Sequence, residues 1–103
     1  MTRFLRLGGL VAVGLDSTGS FLLTLSHSGR GVFSTATWQR LAHDDSLAYP
    51  ESGYVTGIGP IAGEAIKVMQ LDLGRGVDLT SLDGVINLRC ENHRIEILNA
   101  PAF

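Results

Sequence analysis

Charge is scarce in this chain. Charged residues make up 17 % of its 103 positions, against about 25 % in an average globular protein. Eight Lys and Arg face ten Asp and Glu, for a formal net charge of −2. The basic residues are Arg3, Arg6, Arg30, Arg40, Lys67, Arg75, Arg89 and Arg94, dispersed along the chain. A nucleic-acid binder shows a basic excess or a basic stripe, so no nucleic-acid partner is expected. Seven of the eight are arginine, the usage of a GC-rich, bacterial-type genome. Cysteine is almost absent. The lone Cys90 excludes an internal disulfide and fits a reducing compartment. No uncharged apolar run approaches the roughly 18 residues of a spanning helix, so no membrane partner is expected. Disorder is excluded from the other side, because 45 % of the residues are hydrophobic.

The N-terminus imitates a secretion signal, with Arg3 and Arg6 ahead of Leu7-Gly-Gly-Leu-Val-Ala-Val-Gly-Leu15. That run holds three glycines and sits near the short limit for a signal core. It reads as a buried first strand, and a cytoplasmic location is expected.

What the chain has in excess is glycine, 13 residues where about 7 % is ordinary. Turn signals recur at Asp16–Gly19, His27–Gly31, Pro50–Gly53, Gly57–Pro60, Gly74–Gly76, Asp83–Gly84 and Glu91–His93. Spacing of about ten residues between turns predicts a mostly β domain. The runs between them predict strands over Leu10–Leu15, Ser20–Ser26, Gly31–Ser34, Tyr54–Ile58, Ala65–Leu73, Gly84–Cys90 and Arg94–Leu98. The second and third form a hairpin around Ser28-Gly29, and the last two form another. In the last run Ile95 and Ile97 point one way and Arg94, Glu96 and Leu98 the other. One segment competes for helix. Thr35–Ala42 places Trp38 and Leu41 three apart on one face, with Ser34 or Thr35 as cap. The expected fold is a single domain over residues 1–103: a small antiparallel sandwich or roll of six to seven strands with one short helix.

An internal repeat is visible. Gly19-Ser-Phe-Leu-Leu-Thr-Leu-Ser-His-Ser28 and Gly84-Val-Ile-Asn-Leu-Arg-Cys-Glu-Asn-His93 each run from a turn glycine through a strand to a polar reversal. The stretch from Asp16-Ser-Thr-Gly-Ser-Phe to Ser-Thr-Ala-Thr-Trp38 resembles one blade hairpin of a WD-type β-propeller. The resemblance covers about a fifth of the chain and implies a hairpin style. A propeller needs four or more blades of about 40 residues, and this chain holds at most two.

Chemistry-bearing clusters are few. Ser26-His27-Ser28 invites a nucleophile reading, yet neighbours in a strand point to opposite faces, and no G-x-S-x-G elbow is present. The tip instead offers His27, Ser28 and Arg30 as binding residues on an exposed loop. His43-Asp44-Asp45 and Cys90-Glu-Asn-His93 each suggest part of a metal site. A closed zinc site needs four converging ligands, and no second cysteine exists, so no metal is expected. Gly57-Ile-Gly-Pro-Ile-Ala-Gly63 has the glycines of a dinucleotide loop without the strand, helix and crossover that the fingerprint requires. Asp78 and Asp83 fall in turns, where they cannot serve as its ribose-binding acid. No cofactor is expected. Glu51, Glu64, Asp72, Asp78, Glu91 and Glu96 are scattered and read as a solvated face. Trp38 reads as core, and Tyr49 and Tyr54 as surface aromatics.

The leading functional expectation is a non-enzymatic protein-interaction domain, such as an inhibitor or immunity-like partner or a subunit of a complex. Few charges guard the sheet edges, Lys67 and Asp72 alone on Ala65–Leu73, so a homodimer or a protein partner is expected. A second expectation is a small-ligand-binding β domain lined by His27, Arg30, Tyr49 and Tyr54. A third is a small enzyme using His27 or His43 with a distant carboxylate.

Overall fold

The computed structural model describes residues 3–46, 53–71 and 76–99, and among them the chain is mostly antiparallel strand. In chain order the strands are β1 (Arg3–Arg6), β2 (Leu10–Leu15), β3 (Phe21–Ser26), β4 (Gly29–Ser34), β5 (Arg40–Asp44), β6 (Tyr54–Thr56), β7 (Ala65–Lys67), β8 (Met69–Gln70), β9 (Val77–Thr80), β10 (Asn87–Glu91) and β11 (Arg94–Asn99). One 3₁₀ turn, Gly59–Ile61, lies between β6 and β7. The strands make three sheets, ordered β1-β11-β10-β9, β5-β4-β3-β2-β8 and β6-β7.

The five-stranded sheet is the middle layer. One of its faces, carrying Leu10, Val13, Leu22 and Phe33, packs on Leu79, Leu88, Cys90, Ile95 and Ile97 of the four-stranded sheet. The other face, carrying Ala12, Leu23, Leu25 and Val32, packs on Val55, Ile61, Ile66 and Val68 around the β6–β7 hairpin. Burial on both faces is why β2 and β3 are nearly continuous apolar runs, whereas β11 alternates. In β11, Ile95 and Ile97 are buried and Leu98 is exposed. A bulge at Val11 shifts the β2–β3 register between Leu10 and Ala12. The extra residue lets Leu10 and Val13 reach the same core although they are three apart.

The internal repeat is structural. In β2–β3 the Asp16 N–H donates to the Phe21 carbonyl at 3.1 Å, and the Gly19 N–H to the Asp16 carbonyl at 3.0 Å. The Phe21 N–H donates to the Asp16 carboxylate at 3.0 Å. In β9–β10 the Ser81 N–H donates to the Ile86 carbonyl at 3.0 Å, and the Gly84 N–H to the Ser81 carbonyl at 3.0 Å. Here the Ile86 N–H donates to the Ser81 hydroxyl at 3.0 Å. Each turn needs one residue in the left-handed region, and glycine supplies it, at φ 73° for Gly19 and 76° for Gly84. The sequence β2-β3-β4 thus recurs as β9-β10-β11. β5 follows the first copy as its fourth strand. The second copy takes its fourth strand from the other end of the chain, β1, which pairs Arg3–Arg6 against Arg94–Ile97. Each copy is thus a three-strand meander extended by a further strand, β5 in the first and β1 in the second.

Several expectations change in detail. Thr35–Ala42 is a turn followed by strand, and the one helical turn among the described residues lies at Gly59–Ile61. The Ser34 hydroxyl accepts the Ala36 and Thr37 N–H groups at 3.1 and 3.3 Å, and the Trp38 N–H donates to the Ser34 carbonyl at 2.8 Å. Helix growth stops there because Trp38 takes φ 61°, a reversal that sends Arg40–Asp44 back along β4. Trp38 is nevertheless core, 5 % exposed. Ala65–Leu73 breaks at Val68, which is buried between β7 and β8, so its two halves join different sheets; residues 72–75 lie outside the described residues. Asp78 is in β9, not a turn. These breaks and the extra strands β1, β5 and β9 raise the strand number to eleven among the described residues.

Candidate functional site

The three sheets meet at an open groove of about 410 Å³. Its walls come from the β2–β3 turn (Leu15, Asp16, Ser17), the β6–β7 hairpin (Tyr54, Ala65, Ile66, Lys67), β8 (Met69) and the β9–β10 turn (Leu79 to Leu82). Three large apolar side chains at this groove are held out in solvent: Leu82 is 89 % exposed, Tyr54 52 % and Met69 41 %. The turn that presents Leu82 is rigidly tied. The Ser81 hydroxyl donates to the Asp83 carboxylate at 2.5 Å, and the Val85 N–H donates to the same oxygen at 3.0 Å. These bonds, the Ser81 hydroxyl first, hold the Asp83 carboxyl below its ordinary range. Asp16, on the opposite wall, is committed internally to the Thr18 hydroxyl at 2.6 Å and the Phe21 N–H at 3.0 Å. An apolar centre with a rim of Ser17, Lys67 and Thr80 results. Among the described residues, β8 and β9 are edge strands of their sheets and border this groove with unpaired backbone on one side.

The residues expected from sequence do not gather in one place. Tyr54 lines the groove. His27 and Ser28 form the exposed β3–β4 tip, at the far end of the central sheet from the β2–β3 turn. The imidazole of His27 lies over Gly9, and the backbone N–H of His27 donates to the Gly9 carbonyl at 3.1 Å. The equivalent tip of the second repeat holds the same linker, with the Leu10 N–H donating to the Asn92 carbonyl at 2.8 Å. Arg30 faces the other side of the sheet. Its guanidinium grips Asp44 through Nε at 3.1 Å and Nη2 at 2.5 Å, and donates from Nη1 to the Thr56 carbonyl at 2.9 Å. That fork holds the Asp44 carboxyl below its ordinary value and ties β4 to β5 and β6. Tyr49 lies outside the described residues.

A second, polar cleft of about 210 Å³ opens between β1 and the β3-β4-β5 end of the central sheet. Arg6, Ser26, Ser28, Arg40 and His43 line it above a floor of Leu10, Gly31 and Phe33. Among the described residues neither His27 nor His43 bonds a carboxylate through its ring. No three His, Cys, Asp or Glu among them converge as a metal site. Cys90 is fully buried and its thiol is pushed up to about 12, by burial first and by Asp78 second. No helix among the described residues is long and apolar enough to cross a membrane.

Sequence reading missed Leu82 and Met69. Leu82 carried a usable signal: a large apolar residue inside the tight turn Ser81-Leu-Asp-Gly84, where nothing local can bury it. Met69 carried none, because its exposure depends on the break at Val68. No family model, no curated protein and no solved structure matches this chain.

Proposed function

We propose that this chain is a protein-interaction module that receives an extended apolar segment of a partner protein in the groove between its three sheets. The observation that carries the reading is the outward presentation of Leu82, Tyr54 and Met69 around one concavity bordered by the edges of β8 and β9. Isolated exposed apolar residues are ordinary, whereas a contiguous set rimmed by polar groups is a mark of recognition. Size selects the occupant. A groove of about 410 Å³ takes a few side chains, while a folded partner docks on roughly 800 Å² of each surface. An extended segment can also pair with an open strand edge and set alternate side chains into the groove. Burying Leu82 alone would contribute about 1.5–3 kcal/mol.

The test is selection of random peptides displayed on phage against the immobilised chain. Enrichment of segments with alternating apolar residues, whose binding falls at least tenfold with Leu82→Asp and with Met69→Glu, supports the reading. Peptides that bind both variants as well as wild type, or no enrichment, overturn it. Sedimentation of the free chain forms the second arm: a concentration-dependent dimer that Leu82→Asp dissociates would assign the groove to a second copy instead.

A further inference from the structure

We propose that the cleft between β1 and β5 is a binding site for a small dianionic oxyanion, with the chemistry of a phosphate group. The inference is independent of the groove, which lies elsewhere among the turns and edges of the three sheets.

Dispersal in the sequence hides this cluster. Antiparallel pairing sets Gly31 opposite His43 and Phe33 opposite Arg40, with a register shift between Val32 and Phe33. Phe33 faces the core shared with the four-stranded sheet, so Arg40 and His43 rise on that same side of β5. β1 borders the cleft opposite them and brings Arg6 to its rim. Between the walls, Gly31 has no side chain to fill the space; a Cβ there would sit 3.0 Å from the Thr24 hydroxyl. The result is a cavity with a floor and two walls.

The lining is one-sided in charge. Arg6 and Arg40 contribute to it, His43 adds an imidazole, and among the described residues no Asp or Glu lines the cleft. The side chains of Arg6 and Arg40 engage no carboxylate among the described residues. Every other arginine whose side chain is described is occupied: Arg30 by Asp44, Arg89 by Asp78 and Arg94 by Glu91. In a chain with net charge −2, two unmatched guanidiniums at one concavity form a local exception to the surface. A guanidinium offers a planar fork of donors that matches a phosphate or carboxylate edge. Two such groups match a dianion better than a monoanion.

The serines add directed donors. The Ser28 N–H donates to the Ser26 hydroxyl at 3.2 Å, and the Ser26 and Ser28 hydroxyl oxygens stand 2.9 Å apart. When Ser26 gives its proton to Ser28 or to the Gly29 carbonyl, 3.4 Å away, the Ser28 hydroxyl is left free to donate into the cleft. Volume limits the ligand. About 210 Å³ falls below the roughly 300–1,000 Å³ typical of pockets that enclose drug-sized molecules. The site therefore suits the oxyanion and a short attachment, not a nucleotide.

The experiment is a titration of the whole chain with inorganic phosphate, followed by backbone amide NMR at constant ionic strength set with chloride. Saturable shifts confined to residues 6–8, 24–31 and 40–43 are expected. Arg40→Ala should weaken binding at least tenfold, and Arg6→Ala should weaken it severalfold. Arg40→Lys keeps the charge but not the fork and should fall between wild type and Arg40→Ala. Arg89→Ala, on the other face of the four-stranded sheet, should bind as wild type does. All three positions are exposed, and a thermal melt of each variant confirms folding. A glycerol 3-phosphate arm distinguishes the source: tighter binding than phosphate assigns a phosphate monoester, and equal or weaker binding assigns the free ion. Acetate binding as tight as phosphate, shifts that chloride reproduces, or equal loss in Arg89→Ala and Arg40→Ala would overturn the proposal.

Discussion

Gly14→Ala is the sharpest probe of how the middle sheet sets the groove. Gly14 lies in β2, on the face that meets the β6–β7 hairpin. A Cβ placed there would fall 3.0 Å from Val68 Cγ1 and 3.1 Å from Ile66 Cγ2, and would run into the Lys67 carbonyl oxygen. Its φ is not in the left-handed region, so alanine meets no backbone strain and the effect isolates packing. The substitution stabilises through the unfolded chain by about 0.4–1 kcal/mol. Overpacking against backbone costs about 1–3 kcal/mol, because a carbonyl in a paired strand cannot swing aside like a side-chain tip. The net expectation is a loss of about 1–2 kcal/mol. At roughly 4–8 °C per kcal/mol for a domain of this size, the melt falls by about 5–15 °C. Gly8→Ala is the matched control, since nothing lies within 4 Å of its Cβ; it should be neutral or slightly stabilising. Urea unfolding of both variants supplies the free energies. The slope gives a second readout: a hairpin lifted from the sheet already exposes Val55, Ile66 and Val68 in the native state, which lowers m. Tyr54 and Lys67 sit on that hairpin, so groove binding should weaken alongside. Gly14→Ala as stable as wild type, with unchanged m, would refute the three-layer packing.

The repeat makes a paired prediction. Asp16→Ala and Ser81→Ala each strip the acceptor from an equivalent N–H, that of Phe21 or Ile86, and each should cost about 1–3 kcal/mol in urea unfolding; a neutral result at either site would break the equivalence of the two turns. Cys90 should resist a thiol reagent at pH 8, because burial keeps it protonated to about 12. Its labelling rate should match global unfolding measured by tryptophan fluorescence, and fast labelling of the native state would contradict the packing. Arg30→Met removes the fork on Asp44 and the donor to Thr56, and should cost about 1–2 kcal/mol near neutral pH. Asp44 is held below its ordinary 3.8, so the stabilisation is present above that value and fades as the pH falls through the lowered one. The gap between wild type and Arg30→Met should therefore narrow in strong acid, and a constant gap would remove the charge from the explanation.

Much of the architecture was legible because glycines mark strand ends and the Ile95/Ile97 alternation marks a one-sided strand. The repeat was legible for the same reason: Gly19 and Gly84 hold equivalent φ > 0 positions, and a turn geometry constrains residue type closely. Trp38 defeated local reading, because the spacing of Trp38 and Leu41 fits a helix while the Ser34 side chain and the pull of the core close a hairpin. β1 was hidden because its pairing partner lies at the opposite end of the chain, beyond any local pattern. The two concavities failed to register for a related reason. Arg6 and Arg40 are neighbours only through the sheet stacking, and Tyr54, Met69 and Leu82 meet only because three sheets converge. Arg30 was a reasonable candidate on an exposed tip, yet alternation along β4 turns it to the opposite face, where Asp44 and Thr56 occupy its donors.

The placement of charge on the sheet edges bears on which side of the molecule is meant to be met. An open edge invites pairing unless charge or brevity guards it. Among the described residues, the outer edges are β1 and β5, and they carry Arg6, Arg40 and Asp44. The edges at the groove are β8 and β9. β8 is Met69-Gln70 with no charge, and the one charge on β9, Asp78, is tied to Arg89 at 3.2 Å. Of the charges that line the groove, Asp16 is committed internally and Lys67 stands at the rim, so the β8 and β9 edges themselves are left unguarded. Adventitious self-pairing is suppressed on the outside, while the apolar wall beside Leu82 is left approachable. Moving a charge to the unguarded edge, as in Gln70→Lys, should therefore reduce groove binding without loss of stability. The same residue added on β5, as in Leu41→Lys, should leave groove binding unchanged. Equal effects from the two substitutions would mean that edge charge has no part in directing a partner to the groove.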